Sequence, residues 1–187
     1  MQGALKTQKL YTYEDYQTWP DEERWEIIDG VAYDMSPAPL IKHQNIAVNF
    51  LILLRQSLKS NCYTAIAPTD VVFDRFNVVQ PDVFVVCDQS KITEKNVQGA
   101  PDLIIEILSP STELKDRKKK KSLYERHGVK EYITVFTDKN YVERYFLQDG
   151  KYGESELFNW DEILRLKCFD IEINLWEIFE KRKEEGV

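Results

Sequence analysis

Glu106 stands inside the run LIIEIL at 103–108, with Ile104 and Leu108 on its own face of an extended chain and Ile105 and Ile107 on the other. A carboxylate among such neighbours loses hydration at a cost of several kcal/mol or takes up a proton. A metal ion or a basic partner removes that penalty, and a purely structural buried ion pair is the alternative. Asp82 follows Pro81 at the start of PDVFVV, a strand end where sites tend to form. Asp102, four positions before Glu106, shares a single strand with it, whereas Asp82 lies 24 residues upstream, room for a strand, a loop and a return strand. Two carboxylates brought together from neighbouring strands suit Mg²⁺ or Mn²⁺, which keep waters and accept phosphate oxygens.

Helix geometry adds a lysine. At 100° per residue, Leu123, Tyr124 and His127 define the inward stripe of the helix after Glu106, and Lys120 falls near its middle. Lys118, Lys119 and Lys121 point away. Asp116, Lys120 and Tyr124 stack at four-residue steps. A lysine held beside buried carboxylates could orient or deprotonate an attacking water and stabilise developing negative charge; a snorkelling lysine paired with Asp116 is the bland alternative. In RWEIID, Glu26 alternates with Arg24 and Ile28, so it points either into the sheet as a further ligand or out to solvent. His43 opens a helix and could cap it, meet substrate or pack; with Tyr124 and the outward Lys118 and Lys119 it is an expected substrate contact. His127 reads as structural. Asp70 and Asp116 are expected as outer acids behind the ligands.

These residues need elements to hold them. Residues 13–19 read as a short helix ended by Pro20. Arg24 to Ile28 and Val31 to Met35 form a hairpin turning at Asp29-Gly30. His43 to Leu58 is a helix with two apolar sets, expected to be mostly buried. Strands follow at Tyr63 to Ala67, Asp70 to Phe73 and Val78 to Val86, then a polar loop through Gly99. Leu103 to Leu108 is too short for an isolated helix and too apolar for an edge, so it is a central strand. Ser111 to His127 is a helix closed near Gly128. Glu131 to Thr137 and Val142 to Leu147 pair around Asp138-Lys139-Asn140. A strand near Ile171 and a helix from Asn174, with Leu175, Ile178 and Phe179 inward, end the chain. This order gives a mixed sheet flanked by helices.

The 187 residues suit one domain over 1–187, with residues 1–10 as a flexible arm. At 43% hydrophobic and 30% charged residues, the composition is that of a folded protein rather than a disordered one. No apolar run reaches the ~20 residues of a membrane helix, and MQGALKTQKLYTYEDY lacks the apolar core of a signal peptide. Cys62, Cys87 and Cys168 are scattered and odd in number, which reads as core filler in a reducing, cytoplasmic setting rather than a disulfide framework. The net charge of −7 argues against nonspecific coating of nucleic acid. Its distribution is uneven: Glu113 to Lys130 carries eight basic and three acidic residues, a local +5 that leaves −12 for the rest.

The stretches YEDY, WEIIDGVAYDMSP followed by His43, QPDVFVV, GAPDLIIEILSPST and DRKKKKSLYERHGVKEYITV cover nearly all of residues 11–137. In them the chain resembles the Uma-two family of endonucleases, within the restriction-endonuclease-like PD-(D/E)XK superfamily. The resemblance implies an α/β fold with a four-stranded mixed core sheet flanked by helices, an extra N-terminal hairpin, and C-terminal strands and a helix. It makes Asp82 the motif aspartate, Glu106 the second acid and Glu26 the upstream acid, and it implies Mg²⁺-dependent cutting of DNA by a homodimer. Where the signature lysine is expected, two residues after Glu106, this chain has Leu108. In related nucleases that lysine can migrate to a neighbouring helix, where the geometry already selects Lys120. Leu108 leaves open a non-catalytic nucleic-acid-binding or assembly module, and the acidic body leaves open another phosphodiester as substrate.

Overall fold

The computed structural model describes residues 9–20, 22–35, 38–58, 61–108 and 115–182. The chain enters through α1 (Tyr13–Tyr16), capped reciprocally by Thr12 and Asp15. The hairpin β1 (Trp25–Ile28) and β2 (Val31–Asp34) turns at Asp29 and Gly30, whose φ values of 52° and 75° define the left-handed pair that a tight hairpin requires. Next come α2 (Ile41–Ser57), β3 (Tyr63–Ile66), β4 (Val71–Asp74), β5 (Asn77–Val79), β6 (Val83–Val86), β7 (Val97–Gln98) and β8 (Leu103–Leu108). The remainder is α3 (Lys115–Arg126), β9 (Glu131–Phe136), β10 (Tyr141–Gln148), β11 (Lys151–Tyr152), β12 (Glu156–Asn159), β13 (Ile163–Leu166), β14 (Ile171–Asn174) and α4 (Leu175–Ile178). Residues 1–8 of the expected arm and the expected helix start at Ser111 lie outside the described residues. Among the described residues no helix is long and apolar enough to cross a membrane.

The larger sheet runs β11-β10-β9-β8-β6-β3, with β12 also on β10. The smaller runs β2-β1-β5-β4-β7, and β13 pairs with β14. In the larger sheet β8 and β9 are parallel, joined through α3, while β6 lies antiparallel to β8. All six residues of β8 and of β9 are buried, as befits a strand pair covered on both faces. Alternation sorts their side chains. Val83, Val85, Ile105, Ile107, Ile133 and Val135 join α2, α4 and the β13–β14 ribbon in one core. Phe84, Val86, Ile104 and Tyr132 join Leu123 and Tyr124 of α3 in the other, which the smaller sheet helps to close. Glu106 has the parity of Ile104 and therefore faces α3.

Three expectations are corrected. The single strand expected over Val78 to Val86 is two strands in different sheets, because Pro81 has no N–H to donate to a ladder and the chain changes sheets around it. The helix α2 is buried only along Ile46, Ala47, Phe50 and Leu54; Ile41, Val48 and Ile52 are 82%, 42% and 46% exposed, since the sheet covers a single face. Cys62 and Cys87 form a disulfide. Their separation of 25 residues hides that β3 and β6 are antiparallel neighbours, with Tyr63 opposite Val86, so each cysteine is the next residue beyond the ladder. Cys168 alone is a free thiol, and the cysteines therefore do not support the reducing-compartment reading.

Candidate active site

Glu26, Asp82, Glu106 and Lys120 come together between β8 and α3. The ammonium of Lys120 lies 2.9 Å from Glu26 Oε1 and 3.1 Å from Glu106 Oε1. Glu26 is only 5% exposed and Glu106 6%, which settles the open question of whether Glu26 faces the sheet interior. Tyr124 donates to the same Glu106 oxygen at 2.5 Å. The four-residue step from Lys120 to Tyr124 thus delivers an ammonium and a phenol to one carboxylate. Tyr124 is fully buried, so the expected substrate contact is corrected to a contact with Glu106 from beneath.

Asp82 reaches the site from the end of β6. Because β6 begins only at Val83, the N–H of Ile107 on β8 lacks a strand partner there, and Asp82 Oδ2 accepts it at 2.7 Å. His43 Nε2, from the first turn of α2, stands 3.3 Å from the same oxygen. Its Nδ1 is buried and has no well-aligned hydrogen-bond partner among the described residues. One residue that sequence reasoning missed is Gln80: its backbone N–H donates to Glu26 Oε1 at 2.9 Å. That contact depends on the register of β1 on β5, with Ile27 opposite Val78, and no local pattern announces it.

The charges are unevenly matched. Burial raises the Glu106 pKa; Lys120 opposes the rise, the charges of Asp82 and Glu26 reinforce it, and the Tyr124 hydrogen bond opposes it, leaving Glu106 at about 7. Burial works against the charge on Lys120, yet Glu106 and then Glu26 overcome it, so its pKa lies above the ordinary lysine value. Burial likewise opposes charge on His43, but the hydrogen bond and charge of Asp82, then the charge of Glu106, outweigh it and raise its pKa.

The remaining candidates lie further out. Asp70 accepts from Tyr16 and from the Gln80 side chain, each at 2.9 Å, two links away from Glu26. Lys119 donates to the Tyr33 hydroxyl at 2.5 Å, and Lys118 is exposed on the same helix. The side chain of Asp116 lies outside the described residues. His127 sits 5.0 Å from the Phe73 ring and 3.3 Å from Asp74, away from the cluster.

Among the described residues, no three His, Cys, Asp or Glu side chains form a ready-made metal cage. The donor chemistry nonetheless fits a hard divalent cation. Three carboxylates face one ammonium, and neither Glu106 Oε2 nor Asp82 Oδ1 takes a hydrogen bond from the described residues. Mg²⁺ commonly binds through one or two carboxylates and completes its shell with water and substrate phosphate.

The fold is that of a restriction-endonuclease-like nuclease. It superposes with a TM-score of 0.75 on the crystal structure of "a putative nuclease belonging to DUF820" from Anabaena variabilis, at 22% identity, covering 90% of this chain and 97% of that one. An uncharacterized protein of Synechocystis, slr1290, is 28% identical over 163 residues, 84% of each chain. The chain belongs to the Uma2 family, described as "Putative restriction endonuclease", whose model matches residues 13–175.

Proposed function

We propose that this protein is a Mg²⁺- or Mn²⁺-dependent endonuclease that hydrolyses phosphodiester bonds of DNA, with Asp82 and Glu106 as the PD-(D/E)XK acids. The observation that carries this reading is a half-buried lysine paired with the buried Glu26 and Glu106, with Asp82 close by and an oxygen of each of Asp82 and Glu106 that takes no hydrogen bond from the described residues. Asp82 and Glu106 would hold the ion, with Glu26 as the third acid. The bound cation would supply Lewis-acid activation at phosphorus and lower the pKa of a water. Tyr124 and the Ile107 amide fix the two carboxylates, so their geometry is set before substrate arrives. Lys120, which takes the place that Leu108 leaves empty, orients the attacking water and offsets charge developing on the phosphoryl oxygens. His43 at the open side of Asp82, with Lys118 and Lys119 on the exposed face of α3, draws in the backbone phosphates. A homodimer would place two such sites on the two strands of a duplex.

One observation favours a second reading. Lys120 already pairs with both Glu26 and Glu106, an arrangement that is electrostatically self-sufficient in a non-catalytic nucleic-acid-binding module. Calorimetric Mn²⁺ titration and supercoiled-plasmid nicking, on wild type, Glu106→Gln and Lys120→Met, separate the two. The enzyme reading expects metal binding by wild type and by Lys120→Met, nicking by wild type alone, and neither in Glu106→Gln. Absence of metal binding and nicking in the wild type would leave the binding module.

A further inference from the structure

Beside the carboxylate cluster lies a cleft of about 290 Å³ that the proposed chemistry does not use. It opens where β3, the edge of the larger sheet, meets β4 and β7 of the smaller. Tyr63, Thr69, Asp70, Gln80, Lys95 and Asn96 are among its lining residues. Its size is near the lower end for small-molecule sites, right for a single planar fragment rather than a large ligand.

The polar wall is rigid and mostly committed. Gln80 and Asn96 are 7% and 8% exposed. Arg24 holds the Gln80 carbonyl oxygen through Nε at 3.2 Å and Nη2 at 2.9 Å, which fixes the Gln80 amide as a donor toward Asp70. Asn96 donates to the Tyr13 hydroxyl at 2.6 Å and accepts from Thr93 and Gln98. Tyr13 and Tyr16 belong to α1, so this short helix acts as a brace for the wall. What remains unspent is specific. Asp70 Oδ1 receives both Tyr16 and Gln80, while Oδ2 takes no hydrogen bond from the described residues. Tyr63 also lines the cleft and is 42% exposed on the sheet edge, a ring available for stacking. Lys95 supplies an exposed cation at the rim.

One free Asp70 oxygen and one exposed ring, with Glu94 and Lys95 of opposite charge at the rim, match a base that offers an amino donor. Carboxylates accept from the exocyclic amino group of such bases, whereas thymine and uracil offer a single ring N–H flanked by two carbonyls, which bring acceptors against the carboxylate. The location fits too. Gln80 lines the cleft while its backbone N–H holds Glu26, and Asp82 is two residues on, ~7 Å along an extended chain, or about two base rises of a nucleic-acid strand. We propose that this cleft receives one unpaired amino-bearing base (cytosine, adenine or guanine) of the strand whose phosphate meets the carboxylate cluster, and so sets a preference against thymine beside the cut. The inference rests on the nuclease reading for its strand-bound setting, but its recognition chemistry is testable alone.

The test is binding of dCMP, dAMP, dGMP and dTMP to the full chain in EDTA, followed by amide NMR shifts and calorimetry, then binding of a thymidine heptamer with and without one central cytosine. The expected result is about tenfold tighter binding of dCMP, dAMP and dGMP than of dTMP, with shifts at Thr69, Asp70 and Asn96. Asp70→Asn erases that preference. Tyr63→Ala, a change at an exposed edge position, weakens all four ligands about tenfold, as loss of a stacking platform should. Equal binding of the four nucleotides, a preference that survives Asp70→Asn, or a preference absent from the heptamer pair overturns the proposal. Plasmid nicking run in parallel keeps the two readings apart. Nicking without base preference removes the cleft and keeps the nuclease; base preference without nicking does the reverse.

Discussion

Glu106 makes the metal-free protein lose stability as pH rises, and the size of the loss follows from its surroundings. Its folded pKa is raised from an ordinary 4.5 to about 7, so between those values the folded chain binds more protons than the unfolded one. Stability then falls with increasing pH across that window and levels off above it. At 1.36 kcal/mol per pKa unit the total is about 3 kcal/mol. The perturbation is Glu106→Gln, which is close in shape to the protonated acid and keeps an acceptor for Tyr124. Urea unfolding of both proteins in EDTA from pH 4.5 to 8 gives the difference and cancels groups that do not feel Glu106; a His43→Gln background removes the one nearby histidine that does. Wild type should lose about 3 kcal/mol relative to the glutamine variant over that range, most of it between pH 5 and 7. A flat difference would mean that Lys120 and Tyr124 fully offset burial and the two neighbouring acids. A wild type that gains stability with pH would mean that the ion pair dominates, and would refute the charge imbalance on which the metal-binding argument stands.

Other outcomes follow from single contacts. Tyr124→Phe removes a buried hydroxyl that donates to Glu106 and should cost about 1–3 kcal/mol in urea melts at pH 8, with a smaller loss at pH 5. Phe50→Ala empties a fully buried position in the core beneath α2 and should cost about 3–5 kcal/mol in the same assay. Gly30→Ala puts a Cβ at φ 75°, where it would meet Leu10 Cβ at 2.9 Å; a loss above the ~1 kcal/mol of the φ effect alone is expected, read as a lowered thermal midpoint. Asp82→Asn should weaken Mn²⁺ binding at least tenfold in calorimetry while leaving far-UV circular dichroism unchanged.

The central part of the site was readable because its signals are local. A six-residue apolar run broken by one carboxylate could only be a covered strand, and the four-residue step from Lys120 to Tyr124 set both side chains on the face that meets Glu106. What escaped depends on which strands become neighbours. The pairing of β3 with β6 brings Cys62 to Cys87, and the register of β1 on β5 brings the Gln80 amide to Glu26; neither leaves a mark within a window of ten residues. The strands β11 and β12 were missed because they are short and mostly exposed, and β13 because Ile163 puts an apolar residue on its exposed face as well as Leu164 and Leu166 on its buried one. Exposure along α2 was misjudged for the opposite reason. Its second apolar set, Ile41, Val48 and Ile52, has the composition of a buried face without a layer over it.

The bond from the Ile107 amide to Asp82 gives that aspartate two separate occupations. It finishes the ladder of the central strand at the point where β6 stops, and this need persists whether or not the protein cuts anything. The Lys120 ammonium serves a different end, offsetting the buried charge of Glu26 and Glu106, so it is needed only while those acids are present. A relative of this fold could therefore lose the buried acids and the lysine together, as a set, and still need the aspartate. On that view Asp82 reports on the scaffold, and only the Glu106→Gln and Lys120→Met assays report on the activity.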